Sequence, residues 1–131
     1  MWTFHVAGDP VPKARARVYR GRAVTPAKTK HYERLIAVEA LAAGLPRFDR
    51  EEALHVAITS VWPRPQRLQR LRESDDRIPK ATRPDADNIA KAILDGLSAH
   101  FDDGQVVRLT VEKFYASRAE GAGIRCDIEL A

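Results

Sequence analysis

The order of strand-like and helix-like segments is the feature that most constrains how this chain can fold. Apolar and polar side chains alternate in four segments, and such alternation predicts half-buried β-strands. These segments span 2–6, 54–60, 107–112 and 124–130. Two stretches with helical spacing of apolar residues separate them. The pattern therefore predicts an α/β (α+β) fold, in which a mixed β-sheet carries two helices packed on one face.

Each predicted helix has a start signal and an apolar stripe. The first is expected to span 26–43 with Thr25 as its cap, because Pro26 suits the first helical position. Its apolar stripe is formed by Tyr32, Leu35, Ile36, Val38 and Leu41. The second is expected to span 88–99 and to be capped by Asp87 or Asn88. Its stripe is formed by Ile89, Ile93, Leu94 and Leu97.

Turn-rich and strongly basic stretches connect these elements. A short basic hairpin around Gly21 is predicted at 14–22. The segment 63–83, called the basic segment below, contains three prolines and seven basic residues. We predict that it is a long mobile loop with one helical turn around 66–72, because it has few apolar residues with which to dock on a core. The whole chain, 1–131, is expected to form a single domain.

The composition excludes several classes of protein. No apolar run approaches the ~20 residues that a membrane span requires, and the N-terminus lacks a signal-peptide pattern. The single cysteine, Cys126, excludes an internal disulfide and is typical of a reducing compartment. We therefore expect a cytoplasmic protein with no membrane partner. Nucleotide-binding glycine loops and zinc-spaced Cys/His pairs are absent, so we expect no small-molecule cofactor.

Charge is distributed unevenly along the chain. The net charge of +4 is the sum of +6 over 1–34, −2 over 35–62, +4 over 63–83 and −4 over 84–131. Sixteen of the 22 basic residues are arginines, whose planar guanidinium suits phosphate. Solvated surfaces also carry runs of charge, but like charges in turn-rich segments repel one another unless a polyanion neutralises them. The pattern favours a nucleic-acid partner.

Acidic residues concentrate around the second predicted helix. Asp85 and Asp87 are two residues apart, which in an extended segment places both side chains on one side, roughly 6.5–7 Å apart. Lys91 lies one helical turn after Asp87, and Asp102 and Asp103 follow the helix. Oxygen ligands without His or Cys favour Mg²⁺ or Mn²⁺. An acidic centre with basic surroundings is typical of a metal-dependent nuclease.

Each of these residues also has a simpler interpretation. Asp87 alone is more often a helix cap than a metal ligand, and Asp102 with Asp103 is more often part of a turn. Lys91 alone is typical of a solvated helix surface. Only the combination within one short stretch supports catalysis, and it requires that the chain returns to bring Asp103 back to Asp85.

A longer motif identifies a family. The string RPDADNIAKAILDGL at 83–97, followed by DDGQVV at 102–107 and then Lys113, resembles the core of the RusA family of Holliday junction resolvases. The family pattern is R/K-P-D-x-D-N-x-x-K-x-x-x-D-x-L, then D-D-x-Q-V and a later lysine, and every position matches. The strings GDPVPKAR at 8–15 and Thr-Pro at 25–26 are also similar to the family.

The resemblance implies a homodimeric, Mg²⁺-dependent endodeoxyribonuclease, for which Mn²⁺ is a possible substitute. It would act on branched DNA, resolving four-way junctions by paired symmetric nicks in DNA recombination and repair, and would be encoded by a bacterium or a phage. The implied catalytic residues are Asp85, Asp87, Lys91 and Asp103. The three aspartates are the implied metal ligands, and Asn88 and Asp102 match motif positions with supporting roles.

Phosphate contacts and the dimer surface follow less directly. From the charge pattern we expect DNA contacts from Lys13, Arg15, Arg17, Arg20, Arg22, Lys80 and Arg83. A two-fold dimer places two identical sites on opposed strands of a junction. The first strand and the C-terminal strand are the candidate association surfaces.

Three other functions remain open from the sequence. The first is a general structure-selective nuclease that cuts flaps or other branched DNA with the same metal site. The second is a non-catalytic basic nucleic-acid-binding module, whose carboxylates only cap helices and form turns. The third, a Mg²⁺-dependent phosphohydrolase acting on small nucleotides, explains the carboxylates but not the two basic blocks.

Overall fold

The computed structural model describes residues 1–14, 17–24 and 26–131. The strands are β1 (Trp2–Ala7), β2 (Arg17–Tyr19), β3 (Arg22–Val24), β4 (Leu54–Trp62), β5 (Ile78–Pro79), β6 (Val106–Tyr115) and β7 (Gly123–Leu130). The helices are α1 (Ala27–Ala42) and α2 (Ala86–Gly96), with short 3₁₀ turns at Gln66–Leu68 and Asp103–Gln105.

Five strands form one sheet in the order β1-β7-β4-β6-β5, and β2 and β3 form the predicted basic hairpin. Strands β4 and β6 are parallel, whereas β7 is antiparallel to both β1 and β4, and β5 is antiparallel to β6. The sheet is therefore mixed, as predicted. Within the described residues, no helix is long and apolar enough to cross a membrane.

The core lies between the sheet and the two helices. Alternate residues of β1, β4 and β7 supply one side of it, and they are Phe4, Val6, Val56, Ile58, Ile124, Cys126 and Ile128. The predicted stripe of α2 is confirmed, because all four of its members are buried. Burial raises the pKa of the Cys126 thiol, so this cysteine is an apolar packing group.

The predicted buried face of α1 is wrong for three residues. Leu35, Val38 and Leu41 are 38%, 60% and 71% exposed. The residues that α1 buries are Thr29, Tyr32, Ile36 and Ala40. The reason is the close approach of α2, where a Cβ atom added at Gly96 would lie 2.8 Å from Ile36. This close contact at Ile36 buries the face of α1 that meets α2, so Leu35, Val38 and Leu41 stay exposed.

Several boundaries differ from the sequence prediction. Helix α2 begins at Ala86, with Asp85 rather than Asp87 or Asn88 as its N-cap, and ends at Gly96 instead of near 99. Thr25 lies outside the described residues, and Pro26 is the N-cap of α1. The sequence analysis did not predict β5, because two residues paired with the end of β6 carry no periodic signal.

The free edges of the sheet decide where another strand could pair. Strand β7 has β1 on one side and β4 on the other, so of the two candidate association strands only β1 is an edge. The outer edge of β6 is paired with β5 at Phe114 and Tyr115, and the Lys80 N–H donates to the Lys113 carbonyl. Among the described residues, no strand pairs with the outer edge of β6 from 106 to 112.

Candidate active site

The N-terminus of α2 presents two of the predicted catalytic carboxylates. Asp85 is the N-cap residue, has an extended backbone and makes no capping hydrogen bond through its side chain. Asp87 lies in the first turn. Both side chains are exposed, and the positive end of the helix dipole stabilises their negative charge. Their oxygens are therefore accessible to a cation or a polar ligand.

Lys113 fixes the chain that leads into this helix. Its Nζ donates hydrogen bonds to the carbonyls of Thr82 at 2.7 Å and Pro84 at 2.8 Å. Because Lys113 lies on β6, these bonds tie the entry to α2 to the edge of the sheet. The sequence analysis matched Lys113 to the family motif but gave it no role, and only the tertiary structure shows its partners.

Lys91 lies between two carboxylates. Its Nζ is 2.9 Å from Asp95 Oδ1 and 3.4 Å from Asp103 Oδ2. The hydrogen bond to Asp95 is the largest of the effects that raise the pKa of Lys91, with Asp103 adding to it, so the ammonium group stays charged. Lys91 and Asp103 are each about half exposed, at 52% and 51% of the side chain, and both face solvent where a substrate could approach.

Asp95 joins this cluster without having been predicted as a site residue. Its second oxygen, Oδ2, is 2.9 Å from Lys13 Nζ. Partial burial by itself would raise the pKa of Asp95, but hydrogen bonds from Lys13 and Lys91 outweigh burial and lower it. The signal available in the sequence was the four-residue spacing from Lys91 to Asp95, which places the two on the same face of a helix.

The two predicted supporting residues make backbone hydrogen bonds near the site. Asn88 accepts a hydrogen bond at its carbonyl from the Lys13 N–H, at 3.0 Å. The Asp102 N–H donates to Gln105 Oε1 at 2.9 Å, and the Gln105 N–H donates to the Asp102 carbonyl at 2.9 Å. These reciprocal bonds shape the turn that carries Asp103. Asp102 therefore belongs to this turn, and its supporting role in the site stays a prediction.

The carboxylates do not assemble into a metal site within one chain. Over residues 1–14, 17–24 and 26–131, no three side chains of the metal-ligating types form a group that could hold an ion. The chemistry of the donors suits Mg²⁺, since carboxylate oxygens are hard ligands. The geometry of a single chain does not suit Mg²⁺, because Asp103 contacts Lys91 and does not form one group with Asp85 and Asp87.

Five of the predicted phosphate contacts are arginines, and the structure describes them to different extents. Arg15 lies outside the described residues, and of Arg17 only the backbone in β2 is described. Arg20 and Arg22 border the exposed turn of the basic hairpin, where Arg20 has a φ of 49°. Arg83 lies two residues before Asp85 and is exposed at the entry to α2.

Lys13 and Lys80 are engaged inside the fold. Lys13 Nζ lies 2.7 Å from Glu33 Oε1 in addition to its contact with Asp95. Lys80 Nζ donates to Thr82 Oγ1 and to the Arg83 carbonyl, both at 2.7 Å. It also lies 5.0 Å from the centre of the Tyr115 ring and 5.3 Å from that of Trp62, which are cation–π distances.

The basic segment is held by arginine side chains rather than by apolar ones. Arg64 is only 9% exposed, and its guanidinium donates to the carbonyls of Ala116, Leu68, Ser74 and Asp76. Arg118 donates to the carbonyls of Gln69, Arg70 and Glu73. Arg64 is thus committed to the fold and is not an exposed phosphate contact. Whether the segment is mobile remains a prediction for amide exchange.

Two comparisons with known proteins bear on this site. The model of the family described as endodeoxyribonuclease RusA matches residues 7–128, which include Asp85, Asp87, Lys91 and Asp103. The chain is also similar to an uncharacterised protein, YqaN, of Bacillus subtilis (strain 168). The two are 29% identical over 124 residues, covering 86% of this chain and 87% of the relative.

Proposed function

Because the chain belongs to the RusA family of endodeoxyribonucleases, we propose that it is a Mg²⁺-dependent enzyme that resolves Holliday junctions by paired symmetric nicks. Its role would lie in DNA recombination and repair. The observation that carries the proposal is the family match over 7–128 together with the half-exposed contact between Lys91 of α2 and Asp103.

We assign the cation to Asp85 and Asp87 together with Asp103, which would come from the other copy of the dimer proposed below, and we expect Mn²⁺ to substitute for Mg²⁺. A bound divalent cation makes water a better nucleophile and neutralises charge on the scissile phosphate. The chain's own contribution is the charged ammonium group of Lys91, which would stabilise negative charge that develops on the phosphate. Its half-exposed position leaves room for a phosphate beside Asp103.

Cleavage of defined DNA substrates in Mg²⁺ and in EDTA tests the activity. We expect symmetric nicks in a labelled four-way junction, and no cutting of linear duplex or of any substrate in EDTA. Equal cutting of a flap would favour the general structure-selective nuclease instead. Tight binding without cutting in Mg²⁺ or Mn²⁺ would favour the non-catalytic binding module.

Substitution of the carboxylates tests the metal assignment. Asp85→Asn, Asp87→Asn and Asp103→Asn are each expected to abolish cutting and to leave junction binding equal or tighter, because each removes a negative charge that faces phosphate. Calorimetric titration of Mg²⁺ gives a second readout. Asp9→Asn, which removes an exposed carboxylate elsewhere, is the matched control. Wild-type cutting by two of the three variants would refute the assignment.

The salt dependence of binding tests the proposed phosphate contacts. Each lost contact lowers the slope of log K against log salt by roughly one unit. We expect this for Arg22→Ala and Arg83→Ala, and we retain Arg15, Arg17 and Arg20 as proposed contacts. An unchanged slope after replacement of both Arg22 and Arg83 would remove them from the DNA interface.

We propose that the homodimer forms through the free edge of β6. Strand β6 pairs with β4 in parallel, so the backbone N–H and C=O groups of alternate β6 residues point away from β4. The hydrogen bond from the Lys80 N–H to the Lys113 carbonyl indicates that these are the odd-numbered residues. An antiparallel pair of β6 strands from two copies, related by a two-fold axis at Thr110, then places odd-numbered residues opposite odd-numbered residues. In that register Leu109 pairs with Val111, and Arg108 pairs with Glu112 of the other copy. Leu109 is 44% exposed in the single chain.

A charge exchange tests this register. Arg108→Glu places like charges opposite each other at both ends of the pair, so we expect dissociation in sedimentation equilibrium. The double variant Arg108→Glu with Glu112→Arg restores opposite charges and is expected to restore the dimer. A wild-type protein that is monomeric with and without junction, or an Arg108→Glu variant that remains dimeric, would overturn the proposed interface.

The same register offers a source for the missing carboxylate. It brings the beginning of β6 in one copy toward the end of β6 in the other, where Lys113 holds Pro84. Asp103 would therefore approach the segment that leads into Asp85 of the other copy. Mixing two inactive variants, Asp85→Asn and Asp103→Asn, would then create one intact site per mixed dimer. We expect single nicks from the mixture, and none if both carboxylates act within one chain.

A further inference from the structure

Two residues outside the assigned catalytic set are linked to Lys91, Asp95 directly and Lys13 through Asp95. Asp95 divides its carboxylate between two lysines, with Oδ1 at 2.9 Å from Lys91 and Oδ2 at 2.9 Å from Lys13. Lys13 in turn lies 2.7 Å from Glu33 on α1. The contacts therefore form a chain of alternating charge that runs from α1 through the N-terminal segment to α2 and ends at the Lys91–Asp103 pair.

Lys13 is fixed to α2 at two points. Its backbone N–H donates to the Asn88 carbonyl at 3.0 Å, and its ammonium group meets Asp95 two turns further along the helix. Its side chain is 24% exposed, as against 52% for Lys91. A lysine that is held at both ends, with two carboxylates around its ammonium group, has little freedom to reach a DNA phosphate.

The division of the Asp95 carboxylate has a consequence for Lys91. If Asp95 had no second partner, its full charge would attract Lys91 and compete with Asp103 and with an incoming phosphate. Lys13 takes one oxygen, so Asp95 holds Lys91 through the other and directs it toward Asp103. A lysine has three donors, and these two carboxylates leave one for a substrate.

We propose that Lys13 and Asp95 are positioning residues for Lys91, and that Lys13 serves the chemical step rather than DNA binding. The proposal deepens the function proposed above, because it rests on the role of Lys91 in cutting. A displacement of about 1 Å at a reacting group costs up to about 100-fold in rate. Loss of either residue is therefore expected to slow cutting without weakening binding in proportion.

Single-turnover cleavage at saturating enzyme, measured beside junction binding, separates the two effects. For Asp95→Asn we expect a rate about 10-fold to 100-fold below wild type with binding within about 2-fold. Lys13→Ala is expected to lose about 10-fold in rate, and Lys13→Arg, which keeps the charge, to recover most of it. Lys30→Ala, which removes one exposed basic charge from α1, is the matched control and keeps the wild-type rate. Thermal melting confirms that each variant is folded.

Double variants show whether the two residues act through Lys91. If they do, Asp95→Asn combined with Lys91→Ala is no slower than Lys91→Ala alone. Multiplied losses in the double variant would overturn the proposal, as would a Lys13→Ala variant with weaker binding and an unchanged rate at saturation. Wild-type cutting by Lys91→Ala would instead overturn the proposed function. A dead Lys91→Ala beside fully active Lys13→Ala and Asp95→Asn would refute the positioning role alone.

Discussion

Replacement of Arg64 tests how the basic segment is held to the domain. The Arg64 guanidinium donates to Ala116 at 3.1 Å, to Leu68 at 3.1 Å, to Ser74 at 2.6 Å and to Asp76 at 2.8 Å, all through backbone carbonyls. Arg64→Ala removes all four bonds, whereas Arg64→Lys keeps the charge but lacks the planar fork that reaches four acceptors. We expect both variants to open the segment.

The structure sets the size of the effect. Ala116 is 6% exposed, and leaving its carbonyl unpaired costs about 1–3 kcal/mol of global stability. The other three carbonyls lie in the more exposed part of the segment, where water replaces the guanidinium. Counting only the two shortest of these bonds, to Ser74 and Asp76, at about 1.5 kcal/mol each, their loss lowers the opening free energy by ~3 kcal/mol. This corresponds to roughly 100-fold faster amide exchange.

Amide hydrogen exchange on the DNA-free protein provides the assay. The protected amides to follow are those of Leu68, Gln69 and Glu73, which donate to carbonyls within the segment. Arg70→Ala is the matched control, because Arg70 is an exposed arginine of the same segment. Unchanged exchange in Arg64→Ala, or equal acceleration in the control, would refute the anchoring role. Slow exchange across 64–80 in the wild type is what the anchoring by Arg64 requires, and it would contradict the mobility predicted from the sequence.

Two further perturbations follow from contacts in the fold. Gly96→Ala places a Cβ 2.8 Å from the buried Ile36 Cβ, so overpacking of ~1–3 kcal/mol outweighs the gain of up to ~1 kcal/mol in helix propensity. We expect a lower urea midpoint, and an equal or higher one would contradict the packing argument. The hydrogen bond from Arg77 lowers the pKa of Glu120 from 4.5 to about 2. The contribution of this ion pair to the free energy of unfolding is therefore present above pH 4.5 and is lost as the pH falls toward 2. Because Arg77 is 44% exposed, we discount the effect to about 1 kcal/mol, and a stability difference between wild type and Glu120→Gln that persists at pH 2 would contradict it.

Most of the fold could be predicted from the local periodicity of apolar residues in the sequence. Strand alternation located β1, β4, β6 and β7, and the apolar spacing of α2 predicted its buried stripe, because both patterns depend on near neighbours along the chain. The buried face of α1 could not be predicted in the same way. Periodicity placed Tyr32 and Ile36 on the buried face correctly, but only the position of α2 decides that Thr29 and Ala40 are buried while Leu35, Val38 and Leu41 stay exposed.

The candidate site also has one part that the sequence predicted and another that only the tertiary structure shows. The sequence by itself determined which residue types are present and which are neighbours on α2, so it predicted Asp85, Asp87 and Lys91 as one local group. Only the tertiary structure decided which charges meet across elements, since such contacts join residues distant in sequence. It placed Asp103 beside Lys91 and the partly exposed Lys13 in contact with Asp95. Charge alone does not distinguish a lysine that awaits a phosphate from one already neutralised by a carboxylate, because only the folded chain supplies the partner.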